Sequence, residues 1–135
     1  MPYEILEHTA DVRVRVHAAT LVELFSDTVQ AMNEILDPTL PQQAETVTAD
    51  ISVEAPDVTA LLIDFLNDVL LQTELQRTTF RDIAFHTFTD NALLATLSGS
   101  RFECLRCDIK AVTWHEADVR RNSRDEWETI IVFDI

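Results

Sequence analysis

The sequence predicts an α+β protein: two amphipathic helices packed on a mainly antiparallel or mixed β-sheet. Three observations carry this expectation. Residues 20–36 and 57–75 place apolar side chains at helical spacing, while several shorter stretches alternate apolar and polar residues. The strand-like stretches mostly follow one another through short turns such as "TDNA" at 89–92, an order that favours antiparallel pairing.

Along the chain, "VRVRVHA" (12–18) alternates valine with polar residues, as a strand with one wet face should. "TLVELFSDTVQAMNEIL" opens on Thr20 with Glu23 three residues on, a capping box, and then repeats Leu21, Leu24, Phe25, Val29, Met32, Ile35 and Leu36 at helical spacing. "ETVTADISVEA" (45–55) is the next strand. Pro56 and a capping Asp57 then open "DVTALLIDFLNDVLLQTEL", with Leu61, Leu62, Phe65, Leu66, Val69 and Leu70 on one broad face. Asp64 and Asp68 lie four apart on the opposite side, where they form either a solvated face or a contact surface. "FRDIAFHTF", "ALLATLSG", "CDIKAVTW", "ADVRR" and "TIIVFDI" supply further strands.

A length of 135 residues fits a single domain spanning 1–135. With 47% hydrophobic and 25% charged residues the chain has the composition of a folded globular protein, and its apolar runs fall short of a membrane span. The N-terminal residues carry no import or secretion pattern, so the expected location is the cytoplasm. Twenty-four acidic against ten basic residues give a formal charge of −14. That field opposes direct binding of nucleic acid and favours encounter with a basic partner, although solubility alone also accounts for it. The single glycine, Gly99, excludes both Walker A and GxGxxG phosphate loops. Cys104 and Cys107 in "CLRC" sit between extended-looking flanks, a context that puts the two thiols on opposite faces of a strand and argues for a structural or incidental role.

The serines occupy no strained elbow, and "WHEADV" has Val119 where a zinc-protease helix needs its second histidine. The titratable candidates are therefore His8, Asp11, Lys110, His115, Asp134 and the carboxylate of Ile135. Asp11 also suits a turn, Lys110 a solvent-facing strand position and His115 a strand end. Clustered carboxylate oxygens are what hard divalent cations require, so a cation site follows if the fold brings Asp11 beside Asp134 and Ile135. On the residues alone, a small divalent-metal-dependent hydrolase of phosphoesters is an alternative, with His115 or Lys110 assisting.

"YEILEHTADVRVRVHAATLVELF", "LLIDFLNDVL", "IKAVTWHEADVRR" and "IIVFDI" occur in an order that resembles the archease family from Tyr3 to Ile135, in its HTAD, LLxxxLN, KAVTYH and final DI segments. Trp114 stands where that pattern has tyrosine, the glycine often found after HTAD is missing, and "CLRC" lies outside the pattern. The resemblance implies a protein cofactor rather than an enzyme. Its partner would be an RtcB-type RNA ligase, which joins 3′-phosphate or 2′,3′-cyclic phosphate ends to 5′-hydroxyl ends through a GMP-histidine intermediate, in tRNA splicing or RNA repair. Asp11, Asp134 and the Ile135 carboxylate would hold a divalent cation, Ca²⁺ first, with Mg²⁺ or Mn²⁺ as alternatives. Lys110, Glu116, His115 and His8 would serve in partner activation. No membrane and no direct nucleic-acid contact are expected.

Overall fold

The computed structural model describes residues 11–135. In chain order these form β1 (Asp11–Ala18), α1 (Leu21–Leu36), β2 (Pro38–Thr39), β3 (Thr46–Glu54), α2 (Val58–Gln76), β4 (Thr78–Phe88), β5 (Ala92–Arg101), β6 (Cys104–Leu105), β7 (Ala111–Thr113), β8 (Arg120–Arg121) and β9 (Trp127–Asp134). The architecture is α+β, and every strand pair among the described residues is antiparallel. One sheet runs β1–β9–β7 with β8 added to β9, another runs β3–β5–β4, and β2 and β6 make a short ribbon.

Both helices start where side-chain oxygens can take up orphan amides. Glu23 N donates to Thr20 Oγ1 at 3.2 Å, and Ala60 N donates to Asp57 Oδ1 at 2.8 Å. Each helix ends at a non-glycine residue in the left-handed region, Asp37 (φ 48°) and Arg77 (φ 50°), where glycine is the commoner choice. The helices touch strands of both large sheets: α1 packs on β1, β9 and β4, and α2 on β3, β4 and β7. They therefore form a middle layer. This corrects the expected single broad face of α2. Ala60, Leu61, Leu62 and Ile63 are consecutive and all buried, so its first turns are enclosed on nearly every side.

The core joins these layers. Phe25 of α1 meets Phe65 of α2 at 5.5 Å between centroids and Phe88 of β4 edge-on at 4.9 Å. A fully buried side chain of this kind contributes on the order of 2–3 kcal/mol. In β1 and β9 the pleat separates the two faces cleanly. Val12, Val14 and Val16 pair with Phe133, Ile131 and Thr129 towards the helices, while Asp11, Arg13, Arg15 and His17 pair with Asp134, Val132, Ile130 and Glu128 on the outward face.

Two expected strands are shorter than their alternation suggested. Of 107–114 only Ala111–Thr113 is strand, and of 117–121 only Arg120–Arg121. The reason in the first case is a competing anchor: the amides of Arg106 and Cys107 both donate to Leu36 O, at 3.0 and 3.2 Å, which pulls the chain away from β9 and over the end of α1.

Candidate functional site

The register of β1 against β9 sets Asp11 directly opposite Asp134, and β7 sets Ala111 on the other side of the same aspartate. Directly opposed residues hold their Cβ atoms about 4.5–5.5 Å apart on one face, so the two carboxylates share an edge of the outward surface. Asp11 is exposed, whereas Asp134 and Ile135 are half-buried, and the Ile135 side chain packs against the core. Among the described residues Asp134 Oδ1 is buried and has no hydrogen-bond partner. A carboxylate oxygen left in that state is costly unless something positive meets it. The donor set fits a hard cation: oxygen atoms only, one of them buried and uncommitted. Among the described residues no three His, Cys, Asp or Glu side chains gather as a cation site; the side-chain carboxylates that this edge offers are those of Asp11 and Asp134.

Lys110 immediately precedes β7 instead of lying within a strand. Its amide donates to Asp134 O at 2.7 Å, and its side chain is exposed beside the acidic edge. His115 is exposed in the turn after β7, its amide donating to Thr113 Oγ1 at 3.3 Å. His8 lies outside the described residues. Glu116 is not a free acid. Arg13, two residues from Asp11 on the same face, grips it with Nε at 2.5 Å from Oε2 and Nη2 at 2.8 Å from Oε1. That two-point hydrogen bond holds the Glu116 carboxyl below its ordinary pKa and raises that of Arg13. The pair bridges β1 to the turn beyond β7 across Val132, which stays buried although it faces outward.

What positions this turn is Asn67 of α2. Its Nδ2 donates to Val112 O at 3.0 Å and its Oδ1 accepts from Val112 N at 3.0 Å, so one amide side chain occupies the edge of β7 as a neighbouring strand would. Two residues extend the clamp: Thr59 Oγ1 accepts from Val119 N and Thr129 Oγ1 from Asp118 N, each at 3.0 Å. In the sequence Asn67 falls in the LLxxxLN segment with nothing to assign it this task, and Arg13 has the pattern of an ordinary wet-face residue. The available signal for the first was only its place in the LLxxxLN segment, since α2 also carries Asp64, Asp68, Gln72 and Gln76. For Arg13 there was none, since its partner lies 103 positions away. Trp114, next to this turn, is 54% exposed, an aromatic surface of the kind that anchors protein contacts.

The model of the archease protein family matches residues 3–135. The chain is 26% identical over 141 residues to "Protein archease" of Methanosarcina barkeri, covering 98% of this chain and 95% of that protein. It is likewise 26% identical to "Protein archease" of Pyrococcus furiosus, covering 98% of each. The crystal structure of "an archease, possible chaperone" from Thermotoga maritima superposes with a TM-score of 0.73 at 20% identity, covering 100% of this chain and 98% of that one. The solution structure of protein 1598 from Methanobacterium thermoautotrophicum gives 0.67 at 24% identity, covering 96% of each chain. These two structures share the fold described above. With a family match running through every segment from the first strand to the last, this chain belongs to the archease family.

Proposed function

We propose that this chain is a cation-binding protein cofactor that promotes guanylylation and multiple turnover of an RtcB-type RNA ligase. The observation that carries the reading is the direct pairing of Asp11 with Asp134, whose Oδ1 is buried and unpartnered among the described residues. Opposed carboxylates on one sheet face repel, and a shared divalent cation is the simplest compensation. Asp11, Asp134 and the Ile135 carboxylate would hold it, and it would supply positive charge at a surface otherwise rich in acid. Ca²⁺ is the first candidate, with Mg²⁺ and Mn²⁺ as alternatives.

The chain's own residues have definable tasks. Asn67 fixes β7 with Lys110 at its Asp134 end, and the Arg13–Glu116 pair fixes the turn at its other end, which carries Trp114 and His115. Lys110 offers an ammonium to phosphate oxygens in the partner's nucleotide pocket, and Trp114 offers apolar area for docking. The formal charge of −14 suits a partner whose own surface is basic because it holds RNA, and it speeds encounter without this chain touching RNA.

GMP loading of a purified RtcB-type ligase, followed with and without this protein, tests the reading. Wild type should accelerate loading, Lys110→Ala should retain the fold and lose most of the stimulation, and Asp134→Asn should do the same. Stimulation equal to wild type in both variants would reject it. Steady phosphoester turnover by this chain without a ligase would favour a metal-dependent hydrolase instead.

A further inference from the structure

The two cysteines do not occupy opposite faces of a strand. β6 ends at Leu105, and the chain bends at Arg106–Cys107, where both amides are fixed on Leu36 O. As a result Cys104 and Cys107 line one cavity of about 340 Å³, together with Glu74, Arg77 and Asp108. Both thiols are free; Cys104 is exposed and Cys107 half-buried, its Sγ having only a long contact of 3.8 Å to Asp108 O. Neither cysteine opens a helix, which separates this pair from CxxC oxidoreductases. Two free thiols three positions apart thus line one accessible cavity.

We propose that Cys104 and Cys107 form a reversible dithiol–disulfide site for small-molecule disulfides of the glutathione type. In the forward step the thiolate of exposed Cys104 attacks one sulfur of the incoming disulfide and the first small thiol leaves with a proton. The thiolate of Cys107 then attacks Cys104 in the mixed disulfide and the second small thiol leaves. Two cysteine S–H bonds and one S–S bond are broken; one protein S–S bond and two small-thiol S–H bonds form, and two electrons pass to the small disulfide. Arg77, its guanidinium 5.2 Å from the Phe102 ring centroid and one N–H given to Glu103 O, keeps further N–H groups for a carboxylate of such a molecule, and Glu74 and Asp108 on the same cavity would meet its ammonium. In a reducing compartment a pair of this kind senses redox state.

The consequence reaches the acidic edge through three residues. From Cys107 the chain passes Asp108 and the fully buried Ile109 to Lys110, whose amide is bound to Asp134 O. A segment fixed at both ends transmits a covalent closure at one of them to the other. Only the significance of this coupling for a ligase rests on the function proposed above.

The full chain equilibrated in glutathione redox buffers, then alkylated and weighed by mass spectrometry, tests the site. The expected product has lost two hydrogens, in a proportion independent of protein concentration, while Cys107→Ser stops at a glutathione adduct on Cys104. Stable glutathione adducts or intermolecular disulfides in the wild type would overturn the assignment. So would stoichiometric Zn²⁺ uptake through both thiols that blocks internal closure in these buffers, since it would make the pair a soft-metal site. Oxidation should also change hydrogen exchange at the Lys110 amide by about threefold or more. An unchanged amide would refute the coupling whatever the ligase assay shows.

Discussion

Replacing Asn67 with alanine removes both hydrogen bonds that close the edge of β7, each 3.0 Å long and each made to the main chain of Val112, which is 3% exposed. A buried donor or acceptor left without a partner costs about 1–3 kcal/mol, and here one of each is stranded. Water entering from the half-exposed Asn67 position offsets part of that cost, and alanine's better helix propensity returns roughly 0.5 kcal/mol. The net loss should be about 2–4 kcal/mol. At roughly 3–4 °C per kcal/mol for a chain of this size, Tm should fall by roughly 6–16 °C. Urea unfolding gives the free energy, and amide hydrogen exchange gives the location, because Val112 N–H should lose protection ahead of the core of β9. Asn67→Asp is the control: it keeps the acceptor for Val112 N–H and loses the donor to Val112 O, so amide protection should largely survive while stability falls. A loss under about 0.5 kcal/mol in Asn67→Ala, with Val112 exchanging as slowly as before, would refute the idea that this side chain substitutes for a strand.

Other consequences are as specific. Gly99→Ala should cost roughly 2–4 kcal/mol in urea unfolding, because its Cβ would lie 1.9 Å from Thr79 O and 2.8 Å from Phe80 Cα, main-chain atoms that a side-chain rotation cannot relieve; a loss below about 1 kcal/mol would contradict that close approach. Asp68 has its pKa raised by burial and then by the Asp64 charge, so the folded chain binds this proton more readily than the unfolded one and stability falls as pH rises through that window. Asp68→Asn should therefore stabilise the protein near neutral pH, with the difference vanishing below about pH 3.5 in parallel unfolding curves. Arg13→Ala should move the Glu116 carboxyl titration, followed by carbon NMR, back up towards its ordinary value, with little change in overall stability because the pair is exposed.

The parts of the fold legible in the sequence were those written in local chemistry. Thr20 and Asp57 announced both helix starts, and the alternation in β1, β3, β4, β5 and β9 announced five strands that the structure contains. What could not be read locally was set by distant neighbours. Ile109, Ala111 and Val112 carry a strand-like pattern, yet Leu36 O captures the chain at Arg106 and Cys107 and only three residues reach β9. The same capture turned both thiols into one cavity. α2 looked one-sided because its polar positions are spaced along its length, while two sheets enclose its first turns. At the candidate site, the opposition of Asp11 and Asp134 needed only the pairing of β1 with β9. The Arg13–Glu116 clamp and the Asn67 edge closure depend on residues far apart in sequence.

The most direct measurement is calorimetric titration of Ca²⁺, Mg²⁺ and Mn²⁺ into the wild type, into Asp134→Asn, and into a chain carrying a short Gly-Ser extension after Ile135. One cation should bind the wild type, and saturation at about 100 times Kd should raise stability by about 2.7 kcal/mol. Both altered chains should bind far more weakly while keeping the fold. Equal affinity in all three, or no binding by the wild type, would show that Asp11, Asp134 and Ile135 do not share an ion.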